Sequence, residues 1–260
     1  MTNNPGKNWL LLRGLARESA HWGSFIQTLK TTFPEAKITT LDLPGTGNFY
    51  REVSPYTIKA ITDGTRQKAL NKGLLQEPVT LLAVSLGAMV AWEWMQNYPD
   101  DICGASLINT SFANLSPFYN RLRWQSYPKF STLVGKRNIL DREKSILQLV
   151  SNRRDQDEQI SLEWAQIQNK RPINLQNFFR QIIAAASYRP AYTKPKQDIL
   201  LINAIGDRLV APVCSEKIQQ KYQLKISHHP WGGHDLTLDD PEWVALQLKE
   251  WILEEQSYQP

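Results

Sequence analysis

A serine, a histidine and an aspartate, the residue types that together perform nucleophilic catalysis, stand at distinctive points of this 260-residue sequence. Ser85 directly follows the apolar run Val79–Val84 and has small residues two positions away on either side, Ala83 and Gly87. A serine at a tight turn from strand into helix is exposed, and the start of the helix offers backbone N–H groups to a developing negative charge. The alternative is a serine that only caps the helix.

A serine nucleophile needs a base, and the base needs a carboxylate that orients it. Of the four histidines, His234 lies in the glycine-containing stretch 231–236 behind the last predicted strand. Asp207 follows the predicted strand Asp198–Ala204. Because the carboxyl ends of parallel strands meet at one edge of a sheet, both side chains are expected near Ser85.

The adjacent pair His228 and His229 could join His234 in a metal site, but the surrounding sequence supplies no set of acidic partners. A strand end with one buried and one exposed histidine is the preferred interpretation. We therefore expect neither a metal nor an organic cofactor.

The elements that must position these residues follow from hydrophobic periodicity. Short apolar runs alternate with amphipathic segments through the first 110 residues, including a predicted helix over 19–32, which is typical of βαβ units around a parallel sheet. Residues 110–197 contain several predicted helices and no convincing strand, and the alternation resumes at 198. The sequence predicts a core of residues 1–109 and 198–260 with a helical cap at 110–197.

The motifs as a set resemble those of the α/β-hydrolase-fold superfamily, over nearly the whole chain outside the cap. They are Leu41-Asp-Leu-Pro-Gly-Thr-Gly47, Ala83-Val-Ser-Leu-Gly87, Gly206-Asp-Arg-Leu-Val210 and Gly233-His-Asp-Leu236. The resemblance implies an α/β fold with about six mainly parallel strands, flanked by helices, and an inserted all-helical cap.

The resemblance also implies roles. Ser85 would be the nucleophile, His234 the general base and acid, and Asp207 the orienting carboxylate, with the backbone N–H groups of Leu15 and Leu86 forming the oxyanion hole. Small carboxylesterases and thioesterases look most similar, so a small ester or thioester is the expected substrate.

The turn after the first strand departs from the superfamily pattern, since Arg13-Gly14 stands where His-Gly is usual. Arg13, Arg17, His21 and Trp22 are candidate substrate-binding residues because they sit on or just after this turn. The alternative is that Arg17, His21 and Trp22 simply belong to the start of a helix.

Charge is unevenly distributed along the chain. The whole sequence carries a formal net charge of +5, yet residues 110–197 hold 15 Lys and Arg against 6 Asp and Glu. A basic cap could steer an anionic substrate or an acidic acyl carrier protein. Ordinary solubility charge is the alternative.

Composition excludes several classes. A hydrophobic fraction of 42% is too high for a disordered chain, and no apolar run is long enough for membrane insertion. Two cysteines and no signal peptide point to a cytoplasmic protein, and no nucleic-acid-binding motif is found. Two alternatives to an esterase stay open: the same triad used for acyl transfer, C–C hydrolysis or perhydrolysis, and a non-catalytic protein that binds a small ligand.

Overall fold

The structure is a computed structural model that describes residues 5–127 and 138–257. Six strands form one sheet: β1 (Asn8–Leu12), β2 (Lys37–Thr40), β3 (Val79–Val84), β4 (Ile102–Ile108), β5 (Asp198–Ala204) and β6 (Lys225–His229). Their order across the sheet is β2-β1-β3-β4-β5-β6, and every neighbouring pair is parallel. The predicted fold class and the six parallel strands are confirmed.

Each face of the sheet carries its own hydrophobic core, because successive side chains of a strand point to opposite faces. In β1, Leu10 and Leu12 belong to the core on one face, whereas Trp9 and Leu11 belong to the core on the other. Every residue of β3 and β4 is buried. These two central strands are mainly apolar along their whole length for that reason.

Ten α-helices occupy the described residues: α1 (Phe25–Thr32), α2 (Ile58–Asn71), α3 (Leu86–Asn97), α4 (Phe118–Arg121), α5 (Ile139–Val150), α6 (Asp157–Lys170), α7 (Leu175–Ser187), α8 (Val213–Tyr222), α9 (Leu236–Asp239) and α10 (Pro241–Ser257). The single helix expected over 19–32 is instead a 3-10 turn, Ser19–Trp22, followed by α1. Gly23 separates them with a φ of 51°, a left-handed backbone value that no α-helix continues through.

The segment between β4 and β5 contains α4 to α7 and, in its described part, no strand. We call these helices and their connections the cap. No helix in the described ranges is long and apolar enough to cross a membrane.

Candidate active site

The turn from β3 into α3 holds Ser85 in a strained conformation, with φ 56° and ψ −115°. A non-glycine residue with positive φ is uncommon and is held in place only by its surroundings. Ser85 lies between the last residue of β3 and the first residue of α3. The serine side chain lines a cavity beneath the cap.

Gly87 lets α3 approach β1 closely. A Cβ atom at this position would lie 2.5 Å from the backbone oxygen of Arg13 and 2.7 Å from that of Leu12. Any side chain here would push the helix away from the turn after β1. The small residue two positions after Ser85 is therefore required by packing.

His234 and Asp207 form a buried hydrogen-bonded pair, with 2.7 Å between Nδ1 of the histidine and Oδ2 of the aspartate. The other carboxylate oxygen accepts from the backbone N–H groups of Leu209, at 2.7 Å, and Val210, at 2.9 Å. These bonds fix the carboxylate, which in turn orients the imidazole ring. His234 lines the same cavity as Ser85, although no described hydrogen bond joins the two side chains.

Asn109, directly after β4, joins the end of β5, which precedes the acid loop, to the loop that carries His234. Its side-chain N–H group donates to the backbone oxygens of Gly233, at 3.2 Å, and His234, at 2.9 Å. Its side-chain oxygen accepts from the N–H of Ala204 at 2.9 Å. Sequence reasoning missed this residue, and the available signal was a polar residue directly after a buried strand.

The predicted oxyanion donors lie on two sides of Ser85. Leu86 opens α3, and Leu15 follows the turn after β1; both residues line the cavity. Within the described residues neither backbone N–H makes a hydrogen bond, so both are available to a ligand oxygen. Gly14 brings the turn close, since a Cβ atom on it would lie 3.2 Å from the Cβ of Ser85.

Arg13 forms a buried ion pair with Asp235, the residue after His234. Its Nη1 lies 3.1 Å from Asp235 Oδ1 and 3.3 Å from Thr237 Oγ1, and its Nη2 bonds Asp235 Oδ2. Burial alone would raise the pKa of Asp235, but the charge and hydrogen bonds of Arg13 hold that pKa below its usual value. The arginine that replaces the usual histidine thus joins the turn after β1 to the histidine loop.

Arg17 lines the cavity and is also paired with an acid. Its Nη1 lies 2.7 Å from Glu143 Oε2 in α5, and its guanidinium stacks 4.3 Å from the ring centroid of Trp164. Of the four candidate substrate-binding residues, only Arg13 and Arg17 line the cavity.

His21 and Trp22 are buried outside the cavity lining. The guanidinium of Arg13 lies 4.8 Å from the ring centroid of Trp22. Both ring nitrogens of His21 face donors, the backbone N–H of Glu18 at 3.1 Å and Nη1 of Arg17 at 3.0 Å, so a protonated ring would set N–H groups against N–H groups. Burial and the nearby Arg17 charge hold the pKa of His21 well below 6.5.

Three consecutive residues after Leu15 contact three different parts of the cap. The Ala16 N–H donates to Gln181 of α7, Arg17 pairs with Glu143 of α5, and Glu18 pairs with Arg171 at the end of α6. We call this set of three contacts the cap clamp. Its three cap residues, Gln181, Glu143 and Arg171, were not predicted from the sequence. The sequence offered no signal for it, because the pairs are 126 to 165 residues apart.

Two further cap residues that were not predicted from the sequence, Arg123 and Asn152, contact the loop that carries the acid. Nη1 of Arg123 donates to the backbone oxygen of Asp207 at 2.6 Å. Nδ2 of Asn152 donates to the backbone oxygens of Gly206, at 2.9 Å, and Trp231, at 2.7 Å. The cap therefore holds the acid loop as well as the turn after β1.

The cavity between cap and core has a volume of about 350 Å³. Its walls are mostly apolar: Leu15, Val84, Leu86, Met89, Phe118, Leu122, Ile146, Leu149, Val150, Ile173, Leu175, Phe178, Ile182, Ala185, Ala186, Leu209 and Val210. In the described part of the cap, the aromatic residues Phe118 and Phe178 line the cavity.

The three candidate metal-binding histidines have separate surroundings. His228 is exposed, while His229 is buried, with Nε2 3.2 Å from Asp240 Oδ2 and Nδ1 accepting from the Gly232 N–H at 2.8 Å. Among the described residues, no group of three or more histidine, cysteine and acidic side chains could hold a metal ion.

Comparison with known proteins agrees with this fold. The sequence profile described as the alpha/beta hydrolase family matches residues 9–247. A comparison with curated proteins finds no significant match.

Three solved structures with the same fold share between 14% and 19% of their sequence with this chain. A thermophilic esterase from Thermogutta terrifontis has 19% identity and a TM-score of 0.72, covering 96% of this chain and 91% of that chain. A lipase-esterase related protein from Clostridium acetobutylicum has 14% identity and a TM-score of 0.71, covering 96% of each chain. A candidate non-haem bromoperoxidase from Mycobacterium tuberculosis has 18% identity and a TM-score of 0.72, covering 96% and 93%.

A parallel sheet with a serine at the strand-to-helix turn and a helical cap over its carboxyl edge defines the α/β class of hydrolases. The family profile spans most of the chain, and the protein belongs to the alpha/beta hydrolase family. Membership supports hydrolase activity in general, whereas these three structural neighbours, each below 25% identity, show the fold alone.

Proposed function

We propose that the protein is a serine hydrolase that cleaves a small ester or thioester through an acyl-enzyme. The observation that carries the proposal is the Asp207–His234 pair, whose histidine lines the same cavity as Ser85 and as Leu15 and Leu86, the two residues with free backbone N–H groups. Each group has a separate task in acyl transfer, and the cavity brings the groups together.

In this proposal His234 removes the proton from the Ser85 hydroxyl as Oγ attacks the acyl carbon. The carbonyl oxygen becomes an oxyanion, and the N–H groups of Leu15 and Leu86 stabilise it. The tetrahedral intermediate collapses, the acyl–oxygen or acyl–sulfur bond breaks, and His234 returns the proton to the leaving alcohol or thiol. Water then repeats the sequence on the acyl-enzyme and releases the acid and the free serine.

The volume and lining of the cavity favour a substrate with a small and mainly apolar acyl or aryl group. Its volume of about 350 Å³ lies at the lower end of the range for small-molecule sites, and most of its lining is apolar. Both cysteines, Cys103 and Cys214, are buried and unpaired, which suits a reducing, cytoplasmic location.

Labelling with a fluorophosphonate tests the nucleophile. We expect the wild type and the control S24A to be labelled and S85A to remain unlabelled. Ser24 is exposed, and its side chain makes no capping hydrogen bond, so its removal leaves the site intact. Labelling of S85A would show that another residue is the nucleophile and would overturn the proposal.

A further inference from the structure

The cavity contains an arginine that no acidic side chain neutralises within the described ranges of the chain. Arg13 is paired with Asp235, and Arg17 is paired with Glu143. Arg121 also lines the cavity, but in the described part of the chain it forms no ion pair. We infer that Arg121 binds an anionic group of the substrate, a carboxylate on the acyl portion. This inference rests on the proposed hydrolase function and specifies its substrate class.

All of the hydrogen bonds that Arg121 makes go to neutral acceptors. Its Nε lies 3.2 Å from Ser111 Oγ, its Nη1 2.7 Å from the backbone oxygen of Ala186, and its Nη2 2.5 Å from that of Ala185. A guanidinium has five N–H groups, so these three bonds leave two donors for a ligand. Residues 128–137, which lie outside the described ranges, contain no Asp or Glu.

The two carbonyl partners belong to the last turn of α7, where a helix has a partial negative charge. That partial charge orients Arg121 but offsets only part of its positive charge. Burial lowers the pKa of Arg121, and the nearby Arg189 lowers it further. A bound carboxylate would supply the missing counter-charge.

A second arginine adds to the positive charge of the cavity. Arg142 lines it and lies 3.6 Å from the acidic side chain of Glu143. The same carboxylate bonds Arg17 at 2.7 Å, so one acid serves two guanidinium groups. The described lining therefore holds four arginines against the two acids Asp235 and Glu143, besides the catalytic histidine.

Arg121 and Ser85 line the same cavity, and two adjacent residues link them. The Arg121 partner Ser111 lines the cavity, and the neighbouring Thr110 donates from Oγ1 to the backbone oxygen of Ser85 at 3.1 Å. The planar guanidinium suits a carboxylate, and the apolar walls suit a hydrocarbon chain. The combination fits a short dicarboxylic acid that is esterified at one end.

Two isosteric esters test the inference: mono-p-nitrophenyl glutarate and its primary amide, which is neutral. The quantity to compare is the ratio of kcat/KM for the anionic ester to that for the amide. We expect a wild-type ratio of about ten or more, since a charge-assisted hydrogen bond changes affinity by roughly that factor. We expect R121Q to bring the ratio close to one, and R121K, which keeps the charge, to retain part of the preference.

R153Q is the matched control. Arg153 is also in the cap, but its side chain is exposed, pairs with Asp155 and lies outside the cavity lining. We expect this variant to keep both rates and their ratio.

The wild-type comparison requires no substitution, so a variant that fails to fold does not block the test. A wild-type ratio near one, with the neutral ester hydrolysed and Ser85 labelled by fluorophosphonate, would overturn the anionic site and leave the hydrolase standing. An unchanged ratio in folded R121Q would likewise overturn the role of Arg121. Failure to hydrolyse either ester, with Ser85 unlabelled, would overturn the proposed function and the inference with it.

Discussion

The backbone N–H of Ala16 donates to the side-chain oxygen of Gln181 at 2.9 Å and so joins the turn after β1 to cap helix α7. Ala16 has a φ of 58°, a strained value for a residue with a side chain. It directly follows Leu15, whose N–H is the proposed oxyanion donor. The buried Gln181 side chain therefore holds the strained turn on which this donor depends.

Replacing Gln181 by alanine should weaken the oxyanion hole. The Ala16 N–H would lose its partner, and the turn would no longer be fixed by α7. Loss of a whole oxyanion donor costs about 10²–10³ in kcat, so we expect a displaced donor to cost about tenfold, with a smaller change in KM. Steady-state kinetics, with the affinity for a trifluoromethyl ketone that mimics the tetrahedral intermediate, would measure both effects.

Q176A is the control for Q181A, because Gln176 is an exposed residue of the same type on the same helix. It should change neither quantity. If Q181A lost stability but kept its affinity for the ketone, the hydrogen bond would serve only to hold the cap.

Arg13 and Asp235 should be strongly coupled in stability. Removing one partner leaves a buried charge alone, which costs about 3–5 kcal/mol, so R13M and D235N should each be destabilised by roughly that amount. The double variant R13M/D235N should lose much less than the sum of the two single changes, because neither charge remains. Urea unfolding followed by tryptophan fluorescence would measure all four proteins; additive losses would contradict the coupling.

His21 should make the protein less stable in mild acid. Because its pKa is held well below 6.5 in the folded state, the unfolded chain binds a proton first as the pH falls. The contribution of the neutral His21 ring to the free energy of unfolding is thus fully present above pH 6.5. Below that pH it falls by up to about 1.4 kcal/mol per pH unit, until the lowered folded pKa is reached. H21Q should show a shallower loss than the wild type in urea unfolding between neutral pH and pH 5, and parallel curves would argue against a depressed pKa.

Asn109 should be needed for both stability and activity. N109A removes the donor to the His234 backbone and the acceptor for Ala204, and we expect a loss of about 2 kcal/mol in the free energy of unfolding. We also expect kcat to fall about tenfold because the histidine loop is displaced. The comparison is N114A, since Asn114 makes only a long bond of 3.4 Å to the backbone of Pro190. Equal kcat values in the two variants would rule out a positioning role for Asn109.

Local patterns in the sequence were sufficient for much of the fold. Strand β3 is a run of six buried residues that ends at a serine flanked by small residues, and such a pattern depends on neighbours within a few positions. Gly23 shows where a prediction from local sequence patterns fails. The predicted helix over 19–32 ignored a glycine that adopts a left-handed backbone and divides the segment.

The candidate catalytic residues could be selected because each follows a strand of one parallel sheet. Parallel strands bring their carboxyl ends together, so Ser85, Asp207 and His234 were expected at one edge before any side chain was placed. The position of strand ends gave no comparable argument that these four residues would contact substrate: Arg13, Arg17, His21 and Trp22. The structure separates them into two residues that line the cavity and two that do not.

The sequence by itself determined the order of strands and helices, the chain positions of the nucleophile, acid and base candidates, and the excess of basic residues in the cap. Only the tertiary structure decided which charges are paired. Arg13 meets Asp235 across 222 residues, and Arg17 meets Glu143 across 126, while Arg121 meets no described acid. Turn chemistry and hydrophobic periodicity act over a few residues, whereas these pairings depend on how the cap helices pack against the core.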